Sequence, residues 1–319
     1  MTRELLKVDY SDSNSYYTCA LKYKLTKEGW SADKGYTALR FGGVFHAGME
    51  GYYSYVQEHG WSRDGGAVER MLEFAGKEWV ERTGDLMYYD DYRTLPLCIE
   101  LMTRYIDHFF GDHGFLEVVH TERAFKLHMQ PTAKDLEHYP WLVDFWFTGK
   151  IDMECKLNGM HWTNEFKTTG WRMDQVIAEL NRSPQIMGYA YAKDNVFDSV
   201  PEGCLVTVAF AKANKLKNGG YGKPRIDFSR TPQIYNEVDL QKWRDHFIKT
   251  VAQIQHAISV DHFPPELSSC YNYGRCEFLN LCEQSCAIED ANYRGYIQSE
   301  PWDVTKEVAP DELIEGEER

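Results

Sequence analysis

The sequence predicts an α/β (α+β) fold in which a mixed β-sheet is flanked by helices. Its first third carries apolar residues at helical spacing in four segments: 9–25, 41–58, 66–83 and 93–110. The middle then alternates apolar and polar residues and is rich in β-formers. A helix, a strand and a closing helix follow, and this order indicates one core that contains both kinds of element.

Strands are predicted where the alternation is clear. The segment 116–129 is one strand, and 146–169 forms two strands joined at Leu157-Asn158-Gly159, because Asn-Gly is a strong signal for a two-residue hairpin turn. The remaining predicted elements are a helix over 174–194, a strand over 204–213 and a helix over 239–260.

Composition limits the classes of protein to consider. The chain has 319 residues, of which 43% are hydrophobic and 14% aromatic, enough for one large domain or two modest ones. No apolar run approaches the ~18 residues that a membrane span needs. The first residues, MTRELLKVDYSDS, lack an apolar signal core, so we expect a cytoplasmic protein without a membrane partner. The net charge of −14 disfavours coating of nucleic acid by overall charge, but it leaves a local basic groove open.

An acid pair and a lysine lie on the predicted hairpin. Glu165 and Lys167, within NEFKTTG, are two positions along the chain from each other, so on a strand their side chains point to the same face. The hairpin brings Asp152 close to Glu165. Two adjacent carboxylates raise each other's pKa unless a cation lies between them, and hard cations such as Mg²⁺ prefer oxygen ligands. The alternative is an exposed acid pair with a salt-bridged lysine.

A basic segment follows the strand over 204–213. The stretch AKANKLKNGGYGKPR contains three glycines, Tyr221 and no acid, together with five cations: Lys212, Lys215, Lys217, Lys223 and Arg225. Cations beside an aromatic ring suit phosphate contact and base stacking on single-stranded nucleic acid. A solvated hairpin loop is the alternative.

Half of the eight cysteines are clustered near the C-terminus. They lie in CYNYGRCEFLNLCEQSC and are Cys270, Cys276, Cys282 and Cys286. Without a secretion signal, structural disulfides are not expected, so the clustering indicates a metal or cluster site. Thiolates suit an iron–sulphur cluster and Zn²⁺ alike. Cys98, Cys155 and Cys204 lie in apolar contexts typical of core thiols.

The stretch GKIDMECKLNGMHWTNEFKTT resembles the core of the PD-(D/E)XK nuclease superfamily, in its RecB-like branch. Three further elements occur in the order of that branch. FGGVFHAGMEGYY, with His46, is similar to its glycine-then-histidine helix, and LEVVHTERAFKL, with Glu122, is similar to its acid-bearing strand. SPQIMGYAYA supplies Gln185 and Tyr189 of its Q-x-x-x-Y helix. The resemblance covers about residues 9 to 286, with Ile151 where the family motif has Pro.

This resemblance implies a restriction-endonuclease-like core with a metal-dependent active site. Asp152, Glu165 and the backbone carbonyl of Phe166 would hold Mg²⁺ or Mn²⁺. His46 would be a further ligand or would position water, and Lys167 would assist the nucleophilic water.

Other residues would surround that site. Gln185 and Tyr189 would contact DNA or orient Lys167, since i and i+4 share a helix face. Glu122 would be a supporting acid.

The cysteine-rich segment, preceded by Phe263-Pro264-Pro265, resembles the C-terminal triad of iron–sulphur nucleases in this branch. In those proteins a fourth cysteine precedes the core, and SDSNSYYTCALKYKL is similar to that element. The resemblance implies a [4Fe–4S] cluster whose ligands are Cys19, Cys270, Cys276 and Cys282. Tyr273 stands where the family often has a cysteine, Cys286 is an alternate for Cys270, and a Cys₄ zinc site is the alternative.

We therefore predict a single nuclease domain over 1–298 and an acidic tail over 299–319. The parts of the domain are a helical part over 9–115, a catalytic core over 116–260 and an iron–sulphur cap formed by Cys19 and 261–290. The tail has eight acids opposed only by Lys306 and Arg319, and we expect it to be solvated and disordered.

The predicted function is a metal-dependent DNA nuclease, an exonuclease acting on single strands or duplex ends. It would serve repair, recombination, phage DNA processing or CRISPR adaptation. Beyond DNA, a helicase, a recombinase, a CRISPR-adaptation protein or further copies of the chain are open as partners. The alternatives are a catalytically silent DNA-binding subunit of a nuclease/helicase complex and a zinc-binding interaction protein.

Overall fold

The strands pair as a mixed sheet, which confirms the predicted α/β (α+β) class. The computed structural model describes residues 4–32, 37–61, 65–83, 92–197, 200–272, 275–283, 295–306, 308 and 313–318. Its strands are β1 (Leu6–Val8), β2 (Trp30–Ala32), β3 (Leu116–Met129), β4 (Phe145–Leu157), β5 (Met160–Thr169), β6 (Cys204–Lys212), β7 (Arg225–Gln233), β8 (Tyr296–Gln298) and β9 (Ile314–Glu317). Its helices are α1 (Tyr10–Thr18), α2 (Ala20–Lys27), α3 (Thr37–His59), α4 (Gly66–Thr83), α5 (Leu95–His108), α6 (Ala133–His138), α7 (Met173–Leu180), α8 (Pro184–Val196), α9 (Glu237–Val260) and α10 (Leu279–Glu283).

The chain divides into two compact units, each built from separate segments. The central unit comprises Tyr36–Arg123 and Lys150–Asn236. The terminal unit comprises Met1–Gly35, Ala124–Gly149 and Glu237–Arg319. Because β3 and β4 have residues in both units, the division does not test the single domain expected over 1–298, which stays a prediction.

In the central unit the hydrogen-bonded strand order is β7-β6-β5-β4-β3. β4 and β5 form the predicted antiparallel hairpin. The turn residues Asn158 and Gly159 have φ values of 52° and 77°, the left-handed conformation that a two-residue hairpin turn requires. β6 is parallel to β5 and antiparallel to β7, and the parallel step is possible because α7 and α8 connect β5 to β6.

Helices cover both faces of β5 and β6 in this unit. Phe166 belongs to the buried cluster formed with α3 and α5, whereas Val208 packs with Ile186 of α8 on the opposite face. Glu165 and Lys167 alternate with Phe166 along β5 and therefore share the face of α8. The sheet thus presents its acid and its lysine toward one helix and buries the intervening phenylalanine under another.

Two helices that the sequence predicts as continuous are interrupted. The helix expected over 174–194 breaks before Pro184, since proline lacks the N–H group that an inner helical turn uses and is tolerated at the first turn of α8 instead. The helix expected over 9–25 breaks at Cys19, whose backbone is extended and which both ends α1 and precedes α2. Gln185 lies directly after the first break, at the start of α8, and Cys19 lies at the second break, between α1 and α2.

Strand β7 has no counterpart among the sequence predictions. It contains Pro232, which disfavours a central strand. In the structure β7 pairs with β6 alone, at the end of the strand order, where a missing N–H group is tolerated.

The terminal unit differs from the expectation of a disordered acidic tail. Ile314–Glu317 forms β9 and pairs in parallel with residues 125–128 of β3. Asp303 accepts a hydrogen bond from Lys7 (2.9 Å), and the buried Arg244 is paired with both Asp135 (3.0 Å) and Glu318. Lys7 and Arg244, which pair with Asp303 and Glu318, lie far from residues 299–319 in the sequence. A count of the charges within 299–319 therefore did not include them.

The terminal unit also contains a small buried apolar cluster. Phe278 and Tyr296 stack with ring centroids 6.1 Å apart, within the range of about 4.5–7 Å that is typical of aromatic pairs, and pack with Leu25 and Trp30. No helix in the described part of the chain combines the length and apolar character needed to cross a membrane.

Candidate active site

The site begins where the ladder between β4 and β5 ends. The last pair toward this end is Met153 with Asn164, so Asp152 and Glu165 are the next residues on the two strands. Asp152 Oδ2 accepts a hydrogen bond from the backbone N–H of Phe166 at 2.7 Å. The Asp152 carboxylate thereby accepts the N–H group of β5 in place of a backbone carbonyl of β4. This bond holds Asp152 beside Glu165, the residue before Phe166.

Lys167 and Glu165 share a hydrogen-bonded network with α8. Lys167 Nζ donates to Glu165 Oε1 and to Gln185 Oε1, the latter at 2.9 Å. The amide nitrogen of Gln185 donates to Glu165 Oε1 at 3.0 Å and to Tyr189 Oη at 2.9 Å. Tyr189, in turn, donates to the backbone carbonyl of Lys150 at 2.9 Å. Gln185 and Tyr189 therefore connect β5 to β4 through one helix face.

The position of these two side chains bears on their expected roles. Tyr189 is only 7% exposed and its hydroxyl group is engaged on both sides, as donor and as acceptor. Gln185 directly holds the ammonium group of Lys167. Of the two roles that the resemblance implies, this geometry favours orientation of Lys167 over contact with DNA.

His46 reaches the site from α3. Its Nδ1 atom lies 3.4 Å from Asp152 Oδ2, and its ring meets the edge of Phe166. A Cβ atom on Gly42, one turn earlier in the helix, would lie 3.3 Å from Thr168 Oγ1 of β5. The small residue thus allows α3 to approach β5 closely enough for His46 to contact Asp152.

Glu122 lies on the neighbouring strand β3 in an unusual backbone conformation. Its φ value is +51°, which interrupts regular strand geometry and which residues other than glycine rarely adopt. Its carboxylate pairs with Lys150 Nζ at 2.6 Å, and burial together with the charge of Asp152 raises its pKa to about 7. Lys150 was not among the predicted site residues, although its position two residues before Asp152 on β4 was a signal that it shares that face.

The two acids of the motif have different charge states. Burial and the Asp152 carboxylate raise the pKa of Glu165 to about 7. Burial also acts to raise the pKa of Asp152, but His46 and Lys167 outweigh it and hold that pKa below its ordinary value. Burial opposes the charge of Lys167, yet Glu165 and Asp152 raise its pKa above the ordinary value. The surroundings therefore favour the charged forms of Asp152 and Lys167, whereas burial favours the protonated form of Glu165.

The donor set fits a hard divalent cation. Glu165 is 2% exposed, and its Oε2 atom has no hydrogen-bond partner among the described residues. An unpaired buried carboxylate oxygen is costly, and a cation between Glu165 and Asp152 would satisfy it. Within the described ranges no group of three or more His, Cys, Asp or Glu side chains is arranged to hold a metal. Mg²⁺, however, commonly uses one or two carboxylates and completes its shell with water and phosphate oxygens. The roles of His46 and the Phe166 carbonyl as ligands stay predictions.

The basic segment forms a hairpin at the ends of β6 and β7. Lys212 pairs with Arg225 in the ladder, and Lys215 bridges to Tyr221 beyond it. Within the described part of the chain, no carboxylate forms an ion pair with any of the five cations of the segment: Lys212, Lys215, Lys217, Lys223 and Arg225. All five side chains are exposed.

The cysteines of the terminal unit are neighbours. The backbone N–H of Glu266 donates to Cys19 Sγ at 3.4 Å, and Cys270 Sγ donates to the carbonyl of the same residue at 3.9 Å. Burial, followed by the nearby thiols of Cys19, Cys276 and Cys270, raises the pKa of Cys282. The four sulfurs thus converge without being arranged as a metal-binding group. Cys286 and Tyr273 lie outside the described residues.

Comparison with known proteins identifies one family. The family model described as "PD-(D/E)XK nuclease superfamily" matches residues 9–283, which include every residue of the site. No curated protein matches the chain. A solved structure titled "Crystal structure of SSO0001" is similar over 90% of this chain and 90% of that chain, with 11% sequence identity and a TM-score of 0.32.

We predict that cation binding at this site weakens as the pH falls below 7. Glu165 must lose its proton to accept a cation, so the apparent Kd for Mn²⁺ should rise about tenfold per pH unit well below pH 7 and level off above pH 8. Calorimetric titration between pH 5.5 and 8.5 measures this.

Two variants make the test specific to Glu165. Glu165→Gln should bind Mn²⁺ weakly at every pH, whereas Glu117→Gln, at an exposed acid on β3, should behave as the wild type. A Kd that is independent of pH in the wild type would contradict the prediction.

Proposed function

This chain belongs to the PD-(D/E)XK nuclease superfamily, and we propose that it is a metal-dependent DNA exonuclease in which Asp152, Glu165 and Lys167 carry out phosphodiester hydrolysis. The observation that carries the proposal is the buried Oε2 atom of Glu165, which has no hydrogen-bond partner among the described residues and lies on the strand paired with that of Asp152. A surface salt bridge, the other interpretation of these residues, does not account for an acid that is 2% exposed.

Asp152 and Glu165 would hold the divalent cation. When bound, Mg²⁺ or Mn²⁺ would polarise a phosphoryl oxygen and lower the pKa of a coordinated water molecule. The chain itself supplies the fixed carboxylates, because the Phe166 N–H group and His46 hold Asp152 while Lys167 and Gln185 hold the other oxygen of Glu165. Ligands that are already oriented need little rearrangement when charge develops.

Lys167 would act on the attacking water and on the developing negative charge. Its side chain is 29% exposed, and Glu165 and Gln185 anchor its ammonium group. A positioned cation next to a reacting phosphate stabilises the charge of the transition state. Gln185 and Tyr189 would be positioning residues that fix the Lys167 ammonium group relative to the two acids.

DNA single strands and duplex ends are the proposed substrates. The family supports a nucleic-acid substrate, and the resemblance to the RecB-like branch supports exonucleolytic action in repair, recombination, phage DNA processing or CRISPR adaptation. A helicase, a recombinase or a CRISPR-adaptation protein would then be a natural partner. The exposed cations of the basic segment would contact phosphates, which offsets the net charge of −14 locally.

A [4Fe–4S] cluster is the proposed occupant of the cysteine site. Its support is the convergence of four thiols from distant parts of the chain, at Cys19, Cys270, Cys276 and Cys282. The four thiols would connect the N-terminal helices to the C-terminal segment of the terminal unit, and ligand binding would then add to folding free energy. Zn²⁺ is the alternative occupant.

Cleavage tests the active site. We predict that Lys167→Ala lowers the rate of Mn²⁺-dependent DNA hydrolysis by about 10²- to 10³-fold, the usual effect of removing one stabilising group. End-labelled single-stranded and double-stranded DNA separates exonuclease ladders from internal cuts.

The matched control is Lys156→Ala, which removes a hairpin lysine paired with Glu117 and should leave the rate unchanged. Equal rates for the wild type and Lys167→Ala would assign cleavage to another site or a contaminant. Thermal melting of both variants excludes loss of fold as the cause.

Iron analysis tests the cysteine site. We predict that anaerobically purified wild type is brown and contains about four iron atoms per chain. Cys276→Ser should lose iron, colour and thermal stability, whereas Cys98→Ala, at a buried core thiol, should keep its iron.

Zinc in place of iron would support the alternative occupant. A colourless Cys276→Ser variant with wild-type stability and cleavage would argue against a structural cluster.

Salt dependence tests the basic segment. Each lost phosphate contact lowers the slope of log K against log salt by about 0.7 for single strands. The double variant Lys215→Ala/Lys217→Ala should therefore flatten the slope by about 1.4, measured by fluorescence anisotropy between 50 and 200 mM salt.

The control is Lys77→Ala/Lys242→Ala, two equally exposed helical lysines that pair with Glu81 and Asp239. An unchanged slope in the first double variant would remove the basic segment from the binding surface.

A further inference from the structure

An exposed tryptophan follows the strand that carries Glu165 and Lys167. Trp171 is 75% exposed, the largest exposed fraction among the exposed large apolar side chains of the described residues. Its backbone N–H group donates to Thr169 Oγ1 at 3.0 Å. The indole ring is thus presented to solvent four residues after Lys167, at most about 14 Å along the chain.

Tyr92 lies at the residue before this tryptophan, and its ring packs with a second aromatic ring. Gly170 approaches Tyr92 so closely that a Cβ atom there would lie 2.8 Å from the tyrosine oxygen and 3.4 Å from the carbonyl of Ala211. Tyr92 donates to that same carbonyl at 3.3 Å, and its ring lies 5.6 Å from the ring of Tyr221. The ring of Tyr221, the aromatic residue of the basic segment, therefore packs on Tyr92, whose hydroxyl group lies at Gly170, the residue before Trp171.

Cations border these rings. The Arg93 guanidinium group lies over the Tyr92 ring at 5.0 Å. Lys212 directly follows Ala211 and pairs with Arg225 across the ladder, while Arg172 is neutralised by Asp174 at 2.6 Å. The carboxyl ends of β5 and β6 thus combine aromatic surfaces with the exposed cations Lys212 and Arg225, in a chain whose net charge is −14.

We propose that Trp171, together with Tyr92 and Tyr221, forms a base-stacking platform that selects single-stranded DNA over duplex DNA; this inference rests on the proposed nuclease function. Base faces are open in a single strand and covered by neighbouring pairs in a duplex, so rings that stack on bases discriminate between the two. Phosphate contacts alone do not, because both forms carry phosphates. At 3.4 Å per stacked nucleotide, a base on Trp171 would lie within about four steps of the reacting phosphate.

The experiment measures binding without cleavage. Fluorescein-labelled oligothymidine and a blunt duplex of equal length are titrated in Ca²⁺ with the wild type, Trp171→Ala and Trp171→Phe. Trp302→Ala removes another exposed indole, in the terminal unit, and serves as the control.

Trp171→Ala should weaken single-strand binding about tenfold and duplex binding less than about twofold, with an unchanged salt slope. Trp171→Phe should recover most of the loss, and Trp302→Ala should match the wild type. Saturating oligothymidine should also quench the tryptophan fluorescence of the wild type more than that of Trp171→Phe.

Equal losses on both DNA forms, or no loss, would overturn the platform. Different outcomes would contradict the proposed nuclease function. If the wild type binds single strands through Trp171 but cleaves neither form in Mn²⁺, the platform stands and the nuclease proposal falls. If the wild type cleaves DNA while its single-strand affinity does not depend on Trp171, only the platform falls.

Discussion

The buried pair of carboxylates at the end of the β4–β5 ladder is the constraint on which the rest of the central unit depends. Two acids held together in a dry environment need compensating donors or a cation. The chain supplies donors to Asp152 from Phe166 and His46, and to one oxygen of Glu165 from Lys167 and Gln185. The remaining oxygen of Glu165 has no hydrogen-bond partner among the described residues, and a bound cation would satisfy it.

The opposite face of the same strand is fixed by a second buried network. Arg230 donates to Asp112 at 2.8 Å, to the hydroxyl of Tyr105 at 2.9 Å and to Thr207 at 3.2 Å. Thr207 donates to Asn164, the residue before Glu165, at 2.8 Å. Buried hydrogen-bond networks of this kind restrict the arrangement of a strand. Asn164 and Glu165 are thus held from both sides of β5, which limits the freedom of the acid without any direct contact.

The terminal unit also compensates a buried charge with side chains that are distant in the sequence. Arg244 lies between Asp135 and Glu318, so a residue from the extreme C-terminus completes the environment of a cation on α9. Removing one partner of such a set leaves an uncompensated charge, which costs more than the pair contributes. Asp303 and Glu318 therefore have structural partners, and net charge per segment is a poor guide to whether a segment is solvated.

The sequence by itself determined the elements whose signals are local. Alternation and the Asn-Gly turn identified the β4–β5 hairpin, and the i, i+4 spacing identified the shared face of Gln185 and Tyr189, because both depend only on neighbours along the chain. The order of motifs also brought out Asp152, Glu165, Lys167 and His46 before any geometry was known. Only the tertiary structure decided which residues these side chains contact. Tyr189 donates to the Lys150 carbonyl, and Gln185, at the start of the helix that begins at Pro184, bonds to Lys167. Residues 314–317 pair with β3. These contacts join positions from 18 to nearly 200 residues apart. Burial and charge compensation across the whole fold determine the partners, and a short stretch of sequence contains neither kind of information.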